Sequence, residues 1–135
     1  MKNSIIDTYI NDIYEYDLIV SKNSDLVELQ ELYTYSDGSP LDDRILQGSC
    51  TTSMVARKSD ETLCCLVKFN CYGSSSKTMG KKIWLINTAA HEAFHYSMDL
   101  WRSLGDNIDY DQQEGPAYLV GWATGCIYKT LSKTK

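Results

Sequence analysis

The sequence predicts a single α+β domain over residues 1–135, in which a small antiparallel sheet packs on two or three helices. Residues 51–57 and 62–69 are rich in Thr, Val, Leu and Cys around a turn-like segment, which predicts a β-hairpin. Residues 88–104 repeat apolar side chains at helical spacing before Gly105, which is suited to end a helix. Another apolar helix is predicted from about residue 114 to 131, because Pro116 is tolerated only in a helix's first turn.

The remaining segments give weaker patterns. Residues 5–14 repeat Ile and Tyr at helical spacing, which predicts a first helix with Asn3 or Ser4 as its N-cap. Residues 26–33 fit a helix capped by Ser24 but also read as strand alternation. The short apolar run at 83–86 predicts a strand. In the last helix, the spacing of Gly121 and Gly125 predicts a face that a neighbouring helix can approach closely.

Composition and charge narrow the class of protein. The chain has 135 residues, 43% hydrophobic and 23% charged, which is typical of one globular domain. Its net charge of −5 disfavours nucleic acid as a partner. The apolar stretch at 118–128 is far shorter than the roughly 20 residues of a membrane span, and no signal peptide is evident, so no membrane partner is expected. Five cysteines without CxxC spacing indicate reduced thiols, and we expect a cytoplasmic protein.

The most informative motif is His91-Glu92-Ala93-Phe94-His95, which contains both histidines of the chain and lies on its most regular predicted helix. A spacing of four puts the two imidazoles on one face, about 40° apart, so both can bind one zinc ion. Glu92 lies about 60° beyond His95, where it can reach a metal-bound water as a general base without being a ligand. Solvent-facing histidines remain the alternative, because HExxH is short enough to occur by chance.

A zinc ion held by two histidines needs a third protein ligand and leaves one position for water. Asp99 lies about 12 Å along the helix from His91, too far to share the ion. It could accept the second N–H of His95, with an ordinary surface carboxylate one turn along as the equal alternative. Asp106, Asp109 and Asp111 lie in an acidic loop where solvated carboxylates are expected. Glu114 opens the last helix, so we take it as the third ligand, while a helix-capping role is the alternative.

These motifs carry a resemblance to a known family. HEAFH at 91–95, followed by EGPAYLVGW at 114–122, resembles small phage-encoded metallopeptidases and is similar to minimal gluzincins, in which a glutamate on the next helix is the third zinc ligand. The resemblance covers residues 83–128. It implies a zincin-like fold with HExxH on a central helix, zinc as cofactor, His91, His95 and Glu114 as ligands, and Glu92 as base. The usual proline after the glutamate is replaced by Gly115.

The expected activity is therefore zinc-dependent hydrolysis of a protein or peptide substrate. An oxyanion donor is needed, and Tyr96, Tyr110 and Tyr118 are the phenols closest in sequence, with Tyr118 preferred. The strand at 51–57 could hold an extended peptide by edge pairing. The alternative is a non-catalytic phage structural or host-interaction protein that keeps the metal site, and a toxin-like or repressor-cleaving peptidase would differ only in its substrate.

Overall fold

A computed structural model describes residues 3–105, 109 and 111–134, and it confirms the α+β class. The elements in chain order are β1 (Ile5–Tyr9), β2 (Asp17–Lys22), α1 (Leu26–Leu32), β3 (Tyr33–Tyr35), a 3₁₀ helix (Asp43–Leu46), β4 (Cys50–Arg57), β5 (Leu63–Phe69), α2 (Ser76–Met79), α3 (Lys81–Ser103) and α4 (Glu114–Leu131). None of the helices described here is long and apolar enough to cross a membrane.

The five strands form one mixed sheet in the order β1-β2-β5-β4-β3. The predicted antiparallel sheet is wrong in one pairing, because β2 runs parallel to β5, with Asp17 opposite Cys64 and Lys22 opposite Phe69. The other pairings are antiparallel, and the predicted β4–β5 hairpin is confirmed. The parallel pair is central and almost wholly buried, as parallel strands usually are, since both faces of the sheet are covered.

Each face of the sheet has its own hydrophobic core. The larger core lies between the sheet and α3 and α4, and it includes Tyr96, Leu100 and Leu119. The smaller core lies on the opposite face, where α1, β3 and the 3₁₀ helix contribute Leu29, Tyr33 and Ile45. Successive side chains of β5 point to opposite faces of the sheet, so this strand contributes residues to both cores. The sheet is therefore the middle layer of three.

Helices α3 and α4 lie side by side and antiparallel over the larger core. The Ser97 hydroxyl donates to the carbonyl oxygen of Pro116 at 3.1 Å, and the backbone of Gly115 passes so close to Trp101 that an added Cβ would lie 2.8 Å from the indole ring. The close approach predicted at Gly121 and Gly125 is wrong, because both are exposed and an added Cβ meets no atom within 4 Å. Gly115 makes the close contact instead.

Two predicted elements change type. The predicted first helix is the edge strand β1 and the turn after it, because Tyr9 packs against one core and Ile6 against the other. The predicted strand at 83–86 is part of the first turns of α3, which begins at Lys81. Residues 26–33, which fitted either a helix or a strand, contain both in succession. Helix α1 is capped by Asp25, whose carboxylate accepts from the Glu28 N–H, and strand β3 follows directly.

Candidate metal centre

The HExxH motif lies in the middle of α3, on the side of that helix nearest β4. His91 and His95 are exposed, and their Nε2 atoms are 3.3 Å apart. Two nitrogens that bind one tetrahedral zinc at its usual bond lengths are separated by about 3.3 Å. The pair therefore fits a shared zinc ion, and without metal the same distance allows one ring N–H to donate to the other nitrogen.

Glu92 is the buried member of the motif. Its side chain is only 5% exposed and lies between α3 and β4, where the Thr52 hydroxyl donates to its Oε2. Burial raises the pKa of the nearby Cys50 thiol, and the negative charge of Glu92 raises it further. Thr52 therefore fixes one carboxylate oxygen, and Cys50 stays a neutral thiol beside it.

His91 and Glu92 line a common open pocket of about 280 Å³ between α3, the start of β4 and the segment around α2. Its other lining residues are Ser49, Cys50, Ser75, Met79, Trp84, Asn87 and Thr88. Hydroxyl, amide and thiol groups dominate this wall. The pocket can accept a neutral side chain or an amide group next to the histidine and the carboxylate.

The first half of β4 adjoins this pocket and has no strand paired with it on the β3 side; we call it the free edge, although the Thr51 hydroxyl there donates to the Ile45 carbonyl of the 3₁₀ helix at 3.0 Å. Strand β3 pairs only with Val55–Arg57, and one further bond runs from the Ser36 N–H to the Met54 carbonyl. Within the described chain, no main-chain hydrogen bond joins residues 51–53 to a segment on the β3 side. Unpaired N–H and C=O groups on a sheet edge can pair with an added extended strand.

The predicted third ligand, Glu114, is the exposed first residue of α4. Across residues 3–105, 109 and 111–134, no set of three His, Cys, Asp or Glu side chains is close enough to hold a metal, so Glu114 is not brought together with the two histidines. Asp109 and Asp111 are exposed. Asp106 lies outside the described residues.

Asp99 lies one turn beyond His95 and is partly buried. Its pKa is raised by burial, and the charges of Arg102 and His95 oppose that shift. This places Asp99 near enough to His95 to act on it electrostatically, although the structure gives no hydrogen bond between them.

The three tyrosines named as oxyanion donors have different surroundings. Tyr118 is 59% exposed and lines a small depression with Asn11, Ile13 and Trp122, away from the pocket that contains His91. Tyr96 is fully buried and donates to the Tyr16 carbonyl, so it serves the core. Tyr110 is not among the described residues.

Sequence reasoning missed two groups of residues around the motif, for different reasons. Thr88 lies three and four positions before His91 and Glu92, so helical spacing could have found it. Thr52, Cys50 and Ser49 reach the motif only because β4 packs against α3, and no local pattern carries that contact.

Comparison with known proteins gives no relative for this chain. No protein-family model, no curated protein and no solved structure matches it.

Proposed function

We propose that the chain is a zinc-dependent peptidase whose metal is held by His91 and His95. The observation that carries the proposal is the convergence of the two Nε2 atoms at 3.3 Å beside the buried carboxylate of Glu92. Two imidazoles are a donor set that zinc favours. When bound, zinc supplies Lewis-acid polarisation of a carbonyl and a water of lowered pKa.

Glu92 is the proposed general base. Thr52 holds one of its oxygens, and the residue lines the same pocket as His91, so the second oxygen is free to take a proton from a water at the histidines. A carboxylate fixed by a hydroxyl needs little reorganisation when it accepts that proton. Thr52 is thus a positioning residue in this proposal.

The proposed substrate is an extended peptide that pairs with the free edge of β4 at residues 51–53. This edge adjoins the pocket of His91 and Glu92, so a peptide laid along it passes the histidines with one side chain directed into the pocket. A sheet edge above an HExxH helix also supports the zincin-like architecture that the resemblance implied. Glu114 as third ligand and Tyr118 as oxyanion donor stay predictions.

The second candidate is a non-catalytic protein, such as a phage structural or host-interaction component, that uses the histidine pair only to bind metal. It is favoured by one observation, namely that no third metal-binding side chain joins the two histidines in the described part of the chain. A catalytic zinc has three protein ligands and keeps the fourth position for water, so the described site lacks one ligand that catalysis needs.

Glu92→Gln separates the two candidates. The amide cannot act as a base, so hydrolysis of an unfolded protein substrate by zinc-loaded enzyme should fall by roughly 10²–10⁴-fold, with zinc content unchanged. Glu31→Gln, on an exposed side of α1, is the matched control and should keep full activity. A zinc-loaded wild type without any hydrolysis would favour the non-catalytic candidate, and a wild type that binds no zinc would refute both.

A further inference from the structure

The outer face of α3 is unusually apolar for a surface helix. Ile83 and Phe94 are 51% and 53% exposed, and Ile86 and Ala90 are exposed between them at helical spacing. A surface helix normally directs polar residues away from the core. We call these four residues the outer apolar face. They lie on a different side of α3 from His91 and His95, with Phe94 as the member nearest to the motif's second histidine.

The exposed side of the neighbouring helix α4 carries three small residues in addition to the large ring of Tyr118. Ala117, Gly121 and Gly125 are exposed, and an added Cβ at either glycine meets nothing within 4 Å. Inside one chain, therefore, the glycines serve no close packing. The α4 backbone of another molecule could approach closely here.

The two ends of the helix pair are mainly of opposite charge, with Arg102 as one exposed cation at the acidic end. Because α3 and α4 are antiparallel, Lys82 and Lys129 lie at one end and Asp111 and Glu114 at the other, all exposed. Among the residues described, none of these four takes part in an ion pair. Lys82 stands about 12 Å along α3 from Ala90, and the acidic end, which is level with Trp101, stands about 16 Å on the other side.

We propose that the outer apolar face is the interface of a homodimer in which the α3–α4 layers of two copies face each other antiparallel. A two-fold axis near Ala90 brings the apolar residues of both copies together. The same rotation sets the lysine end of each copy against the acidic end of its partner, because the two ends are at similar distances from the axis. A closed two-fold interface uses the same patch twice, so this self-complementary charge pattern fits a second copy of the chain.

The alternative occupant, a different protein, would need its own matching charges, whereas the second copy already has them. The inference does not depend on the proposed peptidase activity, because the face lies outside the pocket of His91 and Glu92. It also accounts for Ile83 and Ile86, which an isolated chain leaves in water at a cost in apolar exposure.

Sedimentation equilibrium of the purified full chain across micromolar concentrations tests the interface. The wild type should show twice the 15.3 kDa chain mass, and high salt should weaken the dimer. Phe94→Asp should raise the dimer dissociation constant by roughly tenfold or more, since it puts a charge at the interface centre. Val27→Asp, at a residue 63% exposed on α1 across the sheet, is the matched control and should leave the mass unchanged.

A charge exchange tests the antiparallel arrangement itself. A chain with Lys82→Glu and Lys129→Glu should dimerise poorly with itself, and so should a chain with Asp111→Lys and Glu114→Lys. An equimolar mixture of the two should recover the dimer, because each altered end then meets an opposite charge. A monomeric wild type, a Phe94→Asp variant that stays dimeric, or a mixture that fails to recover the dimer while circular dichroism shows both chains folded, would overturn the proposal.

Discussion

The two faces of the sheet are built differently, although the same strands supply both. One face is covered by α3 and α4, the two long helices, and buries a core that includes Tyr96, Leu100 and Ile127. The other is covered by the short α1 and the 3₁₀ helix around Leu29 and Leu41. The histidine pair and its pocket lie at the border of the first face, where α3 meets β4. A long helix on a sheet provides a rigid base on which exposed groups can be positioned, and the short elements opposite provide cover only.

If the helix-covered face carries more of the stability, the largest effect should come from its most buried aromatic residue. Tyr96 is fully buried, stacks on Tyr16 with ring centroids 5.4 Å apart, and donates to the Tyr16 carbonyl at 2.7 Å. Tyr96→Ala should lower the free energy of unfolding by about 3–5 kcal/mol. Leu29→Ala, the comparison on the other face, should cost less, in the lower half of the roughly 2–5 kcal/mol typical of Leu→Ala in a core. Urea titrations measure both, and an equal or larger loss at Leu29 would contradict the ranking.

Zinc should stabilise the folded chain through the two histidines of α3, which belongs to the helix-covered face. Zinc at about 100 times its dissociation constant should raise the free energy of unfolding by about 2.7 kcal/mol, because only the folded chain brings the two rings together. His91→Ala should remove this gain. In metal-free buffer the same substitution should change stability by less than about 0.5 kcal/mol, because the side chain is exposed. Thermal unfolding with and without zinc checks both; a large loss in metal-free buffer would mean that His91 serves packing.

The smallest expected effect concerns a buried cation on the opposite face. Lys68 is almost fully buried, donates to the Asn70 side chain at 2.9 Å, and has its pKa lowered by burial. The unfolded chain therefore holds this proton more tightly, so the unfolding free energy should rise as pH increases from the folded pKa to the unfolded value near about 10.4. Lys68→Met should remove that rise and stay within about 1 kcal/mol of wild type at neutral pH.

Urea titrations of both chains across this alkaline range give the difference directly. Comparing the two chains cancels the tyrosines and cysteines that titrate in the same range. Identical pH dependence in wild type and Lys68→Met would show that the Lys68 amine is charged to the same extent in the folded and unfolded states.

Helices α3 and α4 repeat apolar residues in a way that one covered side explains, and sequence patterns predicted both. The β4–β5 hairpin was predicted from strand-favouring residues around a turn, and its strand β5 is buried on both faces. The errors occur where residues face two environments. Strand β1 carries Ile6 towards one core and Tyr9 towards the other, and apolar residues on both faces of an edge strand imitate helical spacing. The four apolar residues at 83–86 include two that a single chain leaves exposed.

The motif could be found from sequence, but its surroundings could not. Helical spacing alone puts His91 and His95 on one face, and the 3.3 Å between their Nε2 atoms agrees with that prediction. The hydroxyl that holds Glu92 comes from Thr52, which is 40 positions away, so only the packing of β4 against α3 brings it there. The parallel pairing of β2 with β5 is equally non-local.

That parallel pairing has a consequence for the order of folding. The β1–β2 and β4–β5 hairpins each close a short stretch of chain and can form early. The parallel pairing of β2 with β5, which is the seam between the two hairpins, sets Asp17 opposite Cys64 and closes a loop of all the chain between them. We therefore expect the two hairpins to form as separate local units and the docking of β2 on β5 to be the slower, later step. Until that seam closes, α3 and α4 have no continuous surface to cover, so an incompletely folded chain exposes two bare strand edges that favour aggregation.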